Sequence, residues 1–387
     1  VAAKKGTSIR LTIDRDVQWV ASKAIQEAVS KARAVSGTVI VMDPKTGHIL
    51  AHATAPTFDP NNTKSVSPAL MRNPSVQDVY EPGSTGKVMT LAAALEEKKI
   101  TPETVLTVPY SIKRGGDTFH DHERHPVQQL TTSGILAVSS NTGTIQIGEM
   151  LSNNSLHNYL TKFGIGISTG SGLPGESAGL FRPVSDWSGT TAPTVAFGQG
   201  YSVTAMQATS VFATIANDGV RVSPTVIAGT SDSSGNYTPS ATRESVRVIS
   251  AETAAQMRLM MESVVSANGT APSAAIPGYR VAGKTGTAQR IDDTCGCYRG
   301  YTASFIGFAP ADNPAYVISV TIQDPKGMHW GGYLGGPVFK KVMSFVLQSK
   351  GIAPTGTKVD PIALTEKQLL AERKLIADKK AASVKTN

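Results

Sequence analysis

Ser84 and Lys87 stand three residues apart in Tyr80-Glu-Pro-Gly-Ser-Thr-Gly-Lys-Val-Met-Thr90. Glu81-Pro82-Gly83 breaks whatever precedes it, and Lys87, Met89, Leu91, Ala92, Ala93, Ala94, Leu95, Glu96 and Glu97 then form a strongly helix-favouring run. Ser84 is therefore expected to begin a helix, with Lys87 one turn along on the same face. A serine hydroxyl is a weak nucleophile at neutral pH, and a nearby amine kept unprotonated by burial or neighbouring positive charge can take its proton. The helix start adds backbone N–H groups and a positive dipole end beside the attacked carbonyl. Taken alone, the pair also fits an N-cap serine with a surface lysine. More of the chain has to converge on it.

Two other stretches can. Gly278-Tyr-Arg-Val-Ala-Gly-Lys284-Thr285-Gly286-Thr287-Ala-Gln reads as a strand. A Lys-Thr-Gly there puts an ammonium and a hydroxyl at the strand's edge, and the glycine clears the way for an approaching substrate backbone. The Thr287 N–H could pair with that of Ser84 as an oxyanion hole. Lys45-Thr46-Gly47 repeats the motif but reads as a hairpin turn. Residues 132–151 carry apolar positions around Ser139-Ser140-Asn141-Thr142, which fits two helices joined by a polar turn that points a hydroxyl and an amide into a cleft.

The elements that must hold these pieces follow from the patterning. Ser8-Ile-Arg-Leu-Thr-Ile-Asp14 alternates like a strand, and Asp14 can cap a helix with Val17, Val20, Ala21, Ala24, Ile25 and Ala28 on one face. Residues 36–54 read as a hairpin with a continuously apolar, buried first arm. Residues 56–83 form a long loop leading to Ser84. Further helices are expected at 155–163, 203–217, 251–266 and 337–349, and β-rich runs at 278–290, 301–309 and 315–323. Strands at both ends and helices between imply an α/β (α+β) fold: one central antiparallel sheet flanked by helices, with an inserted helical lobe. The sheet-forming parts are placed at about 8–56 and 278–350 and the lobe at about 84–217, in one domain over 1–350.

Residues 113–124 hold Asp117, His120, Asp121 and His122, with His125 just beyond. They read as a solvated loop; a metal site is the competing reading, but the spacing matches no closed zinc pattern and neither cysteine is near. Cys295 and Cys297 are the two cysteines, so no disulfide framework holds the fold. They are read as either free thiols or a short bridge. The basic tail, 351–387, is expected to be disordered or a loose helix, with membrane-surface binding as the lesser alternative.

The chain has 387 residues, 40% hydrophobic and 17% charged, the balance of a folded protein with a large core. Its net charge of +8 favours anionic surroundings such as headgroups or wall polymers, but no basic and aromatic clustering points to nucleic acid. No apolar run reaches membrane-spanning length.

S-x-x-K at a helix start, S-x-N in a turn between helices and K-T-G on a strand, in that order, resemble the motif set of penicillin-binding proteins and class A β-lactamases. The wording around them is similar to the transpeptidase domain of class B penicillin-binding proteins from about residue 11 to 351: Leu173-Pro-Gly-Glu, Phe197-Gly-Gln-Gly, Ala282-Gly-Lys-Thr-Gly-Thr-Ala-Gln and Ser304-Phe-Ile-Gly-Phe-Ala-Pro. Gln323-Asp-Pro, Gly331-Gly and Gly336-Pro-Val-Phe resemble the division-associated, septal branch most. Ser139-Ser140-Asn141, in place of S-D-N, is a variant common in class B and favours it over class A β-lactamases.

The resemblance implies a penicillin-binding/serine β-lactamase-like fold and a peptidoglycan D,D-transpeptidase. Ser84 would attack the penultimate D-Ala carbonyl of a stem peptide and Lys87 accept its proton. Ser139 would relay it to the departing amine, Asn141 hold Lys87 and the substrate amide, and Lys284, Thr285, Gly286 and Thr287 receive the terminal carboxylate. β-Lactams would acylate Ser84 as substrate mimics; no metal or organic cofactor is implied. The family also implies an N-terminal membrane helix and pedestal missing from this chain, a catalytic domain on the outer face of the cytoplasmic membrane, and a glycosyltransferase partner at the division site. Two rivals stand beside this: a β-lactamase using Glu176 to activate water, and a non-catalytic β-lactam sensor or division scaffold.

Overall fold

The computed structural model describes residues 6–292, 294–359 and 362–385. Strands β1 (Ser36–Met42), β2 (Ile49–Ala55), β3 (Ala282–Asp292), β4 (Cys297–Ala309) and β5 (Tyr316–Gln323) form the central sheet in the order β3-β4-β5-β1-β2. Every neighbouring pair is antiparallel. The two ends of the chain meet where β5 pairs with β1, with Val320 opposite Val39. All of 37–42 in β1 is buried. Successive residues point to opposite faces, so both faces of the sheet are covered there, and the strand is continuously apolar for that reason.

Around the sheet lie α1 (Arg15–Ala32), α2 (Lys87–Glu96), α3 (Thr132–Ala137), α4 (Asn141–Gly148), α5 (Asn153–Lys162), α6 (Ala205–Ala216), α7 (Ala251–Val265), α8 (Gly331–Ser349) and α9 (Glu366–Lys385). The Asp14 carboxylate caps α1, accepting from the N–H groups of Asp16 and Val17, and Val17, Val20, Ala21, Ala24 and Ile25 form its buried face. α1 and α8 pack against each other and the sheet, and α6 packs on β1, β4 and β5. α2, α3 and α7 meet beside β3, which leaves that strand as the sheet's edge facing the helical lobe.

Three expectations change. Ser8–Leu11 is a strand, but it pairs with Ile227–Ser231 in a separate three-stranded sheet and not with the central one. Alternation identifies a strand; its partner is a long-range matter. α8 begins six residues before Pro337, because Gly331 and Gly332 let its first turn lie against the sheet: a Cβ on Gly331 would strike the carbonyl oxygens of Ser304 and Gly286. Residues 113–125 are not a solvated loop. Ser111–Arg114 and Asp117–His120 form a hairpin, and Asp121 after it is buried.

The tail is docked at its start. Thr131 donates its N–H to the Leu364 carbonyl (3.1 Å) and its hydroxyl to that of Ala363 (2.7 Å), and Ala363, Leu364 and Leu369 are buried. The basic run beyond it forms α9, with Leu370, Leu375 and Ile376 exposed. Cys295 and Cys297 are disulfide-bonded at the tip of the β3–β4 hairpin, which resolves the open choice between thiols and a bridge. Among the described residues no helix is long and apolar enough to cross a membrane.

Candidate active site

Ser84 sits in a single 3-10 turn, Gly83–Thr85, that runs directly into α2. Gly83 adopts φ +54°, a conformation that a side chain would strain, and its N–H donates to the Gly198 carbonyl (2.8 Å). Ser84 is half-buried, and Lys87 behind it is fully buried. The expected helix start and the one-turn spacing are both present.

The Lys87 amine reaches across to the turn between α3 and α4. Its Nζ donates to the Ser139 carbonyl (2.5 Å) and lies 3.3 Å from Ser139 Oγ. Ser139 takes φ +62°, unusual for a residue with a side chain, as the helix ends and reverses. The next residue, Ser140, caps α4 through the Gly143 N–H. From the sheet side, Lys284 Nζ donates to Ser139 Oγ (2.8 Å) and to the Thr285 carbonyl and hydroxyl (both 3.3 Å). Thr285 Oγ1 is in turn 2.8 Å from Thr270 Oγ1. Three segments more than fifty residues apart in sequence thus share one serine hydroxyl.

Both lysines are buried, and among the described residues neither has a direct carboxylate partner. Burial brings the Lys87 amine down from 10.5 to about 7, with the nearby Asp121 charge pulling the other way. Lys284 is pushed well below its ordinary value by burial and then by the positive charge of Lys87. An amine near neutrality is one that can take a proton from a serine and return it.

β3 lies alongside the serine turn. A Cβ on Gly286 would stand 2.9 Å from the Pro82 carbonyl and against Ser304 Oγ, so the missing side chain sets how closely strand and turn approach. Thr287 is half-buried, and its hydroxyl accepts the Gly331 N–H at the start of α8 (3.2 Å). Because β3 is an edge strand, its outer backbone groups remain for an extended peptide to pair with.

Asn141 lies at the head of α4, but its side-chain amide donates to the His120 carbonyl (3.1 Å), and the Lys87 partners are those of Ser139. The expectation that Asn141 itself holds Lys87 is therefore replaced by the Ser139 carbonyl in that role. Glu176, the candidate base of a hydrolase, is committed to its own loop: its carboxylate accepts from Thr169 N (2.8 Å), Ser171 N (3.2 Å) and Ser171 Oγ (3.0 Å). Among the described residues no group of three potential ligands could hold a metal ion.

Sequence reasoning missed two carboxylates. Asp121 accepts from Asn141 N (2.5 Å), Thr142 N (2.9 Å), Ser140 Oγ (2.7 Å) and His125 Nε2 (3.0 Å). The available signal was α4 itself, whose first turn has no acidic residue of its own. Glu81, read only as part of a helix-breaking run, is buried; it accepts from Gly200 N (2.9 Å) and lies 3.4 Å from the Tyr298 hydroxyl on β4. Burial raises its carboxyl against those hydrogen bonds. Glu81 thereby ties the serine turn to the glycine loop on one side and the β3–β4 hairpin on the other.

A profile of the penicillin-binding protein transpeptidase domain matches residues 37–344, which include all three motifs. The chain belongs to that family. Penicillin-binding transpeptidase domains of known sequence include the PbpB proteins of Mycolicibacterium smegmatis and Mycobacterium tuberculosis, 40% and 39% identical to it over 373 residues. These matches cover 94% of this chain and 58% and 55% of those relatives, so it spans a little over half their length. Peptidoglycan D,D-transpeptidase FtsI of Escherichia coli is 35% identical over 356 residues, 90% of this chain and 57% of that one. A crystal structure of penicillin-binding protein 3 from M. tuberculosis complexed with ampicillin superposes with a TM-score of 0.90 at 38% identity, over 94% of this chain and 84% of that one.

Proposed function

We propose that this chain is the catalytic portion of a peptidoglycan D,D-transpeptidase, acting through an acyl-enzyme on Ser84 during septal wall synthesis. The observation that carries it is the convergence of Lys87 and Lys284 on Ser139 Oγ, one turn from a serine at a helix start. Ser84 Oγ attacks the penultimate D-Ala carbonyl and passes its proton to neutral Lys87. The backbone N–H groups of Ser84 and Thr287 receive the developing oxyanion. The Ser139 hydroxyl, bonded to both amines, carries the proton to the departing D-Ala nitrogen, and the Ser84 ester forms as that C–N bond breaks. Lys284, Thr285 and Thr287 take the terminal carboxylate, with β3 pairing the stem peptide's backbone along its open edge. An amine from a neighbouring stem then displaces Ser84 and makes the cross-link.

A β-lactam fits the same scheme, its ring amide in place of the peptide and its leaving nitrogen still tethered. That Glu176 is tied to Thr169 and Ser171 argues against rapid hydrolysis of the resulting ester. The names of the relatives, FtsI among them, support the transpeptidase reading and its place in division. In the parent protein the domain would face outward from the cytoplasmic membrane on an N-terminal anchor, beside a glycosyltransferase that supplies the strands. Residues 1–350 form the catalytic unit in this reading, and 351–387 its appended tail.

Ser84→Ala tests the assignment: covalent labelling by a fluorescent penicillin should disappear, and stoichiometric labelling that persists would refute it. An acyl-enzyme that survives for hours by mass spectrometry separates this enzyme from a β-lactamase. Turnover of a D-Ala-D-Ala thioester mimic separates it from a sensor.

A further inference from the structure

We propose that Asp121 is a positioning residue for acyl transfer: its carboxylate seats the Ser139-Ser140-Asn141 turn against the Lys87 amine and acts on that amine as its negative partner. This rests on the acyl-transfer reading above and adds a residue to it.

The carboxylate is 6% exposed and spends both oxygens on the turn. Oδ1 accepts from the N–H groups of Asn141 (2.5 Å) and Thr142 (2.9 Å), and Oδ2 from the hydroxyl of Ser140 (2.7 Å). Ser140, Asn141 and Thr142 are the three residues immediately after Ser139, and the last two carry the first helical N–H groups of α4, an end that favours negative charge. The preceding residue holds the same turn from its backbone, since the His120 carbonyl accepts from Asn141 Nδ2 (3.1 Å). Asp121 is fixed in turn by its own N–H, donated to the Tyr110 carbonyl (2.9 Å). The turn it grips contains Ser139 in a left-handed conformation. Such a backbone persists only where its surroundings over-determine it, and Asp121 and His120 supply that restraint.

The electrostatic half of the proposal has the same geometry. Asp121 is faced by His125 from its own segment, by the N-terminal end of α4 and, across the Ser139 turn, by Lys87 of α2. Lys87 is faced by Lys284 of β3. Asp121 is thus the anion that offsets the buried Lys87 amine, and His125, when protonated, shares it. A simple helix cap would stabilise the fold and leave the titration of Lys87 alone; a positioning residue would move both.

The experiment is the second-order rate of acylation by a fluorescent penicillin, measured from about pH 5 to about pH 9, alongside a thermal melt. For Asp121→Asn the alkaline plateau should fall about tenfold or more, and the acid limb should move to lower pH because Lys87 has lost its anion. Asp121→Glu keeps the charge and displaces it, so its plateau should fall with the limb in place. An unchanged plateau overturns the proposal, and so does a lower plateau with an unmoved limb in Asp121→Asn, which is the result of a cap alone. Should Asp121→Asn fail to fold, His125→Gln decides: with the shared cation gone, the acid limb should move to higher pH, and an unmoved limb overturns the proposal. If the wild-type chain takes no label at all, the acyl-transfer reading itself has failed, an outcome seen before any variant is measured.

Discussion

Lys284 Nζ lies 2.8 Å from Ser139 Oγ, nearer than the Lys87 Nζ at 3.3 Å. One hydroxyl has one proton and two lone pairs, so it can accept from one amine while donating its proton to the other. That makes Ser139 a switch point between the serine side and the strand side of the cleft. Its φ of +62° costs about 1 kcal/mol for a residue with a Cβ. Ser139→Ala and Ser139→Gly should both slow acylation by about 10²–10⁴-fold, the range for loss of a proton-transfer group. The glycine variant should be the more stable by about 1 kcal/mol, because it is relieved of that strain. Equal melting temperatures for the two, or a wild-type rate in either, would contradict the assignment.

Lys87 ties rate and stability to the same proton. Its reactive form is the free amine, so acylation should rise with pH through about 7 and level off above it. Stability follows from the folded value lying below the ordinary 10.5. Between the two values the unfolded chain binds a proton that the folded chain does not, so the contribution of this group to stability increases as pH rises. Below about 7 both states are protonated and the cost of burying the charge is fully felt. Lys87→Met should therefore be inactive yet more stable than the wild type, by most in mildly acidic buffer and by progressively less toward pH 10. Denaturant midpoints of both proteins across that range check the sign; a gap that widens with pH would show that the amine is not held neutral.

The motifs were readable because each is local: a helix start at Ser84, a polar break at Ser139-Ser140-Asn141, a strand at Lys284. Order along the chain then sufficed to propose that they meet. What the sequence hid was every contact that one segment makes through a single side chain on another. Asp121 lies among three histidines and an acidic neighbour, and nothing in that stretch distinguishes the carboxylate that caps α4 from the ones in solvent. Glu81 looked like a helix breaker because its partners, Gly200 and Tyr298, are 119 and 217 residues away. The early start of α8 was hidden for a different reason. Gly331 and Gly332 are poor helix formers by propensity, and it is their contact with β3 and β4 that makes glycine necessary.

Gly286 supplies a steric test of the gap between strand and serine. A methyl group there meets Ser304 Oγ, which can rotate away, and the Pro82 carbonyl at 2.9 Å, which cannot. Pro82 is two residues before Ser84, so the strand and the serine turn must separate. Gly286→Ala should lose about 10–100-fold in acylation, the scale of a misplacement near 1 Å, with little change in melting temperature. Adding Ser304→Ala should restore little of the rate. Full recovery in the double variant would show that Ser304, and not the backbone before Ser84, was the obstacle.

The docked tail reaches the same site through α3. Thr131 caps that helix through the Gly134 N–H (2.9 Å) and is itself bonded to Ala363 and Leu364, while Ser139 lies just past the helix's other end. Ending the chain after Lys358 removes buried Ala363, Leu364 and Leu369 and should cost about 2–4 kcal/mol, with a severalfold slower acylation as the Ser139 turn loses its register. A second route to the same state is Gly134→Ala, whose added Cβ would collide with the Leu364 carbonyl and displace the tail without shortening the chain. If both act by freeing α3, the combined variant should be scarcely worse than either alone, since two changes that break one contact do not add. Additive losses would show that Gly134 and the tail stabilise the lobe independently.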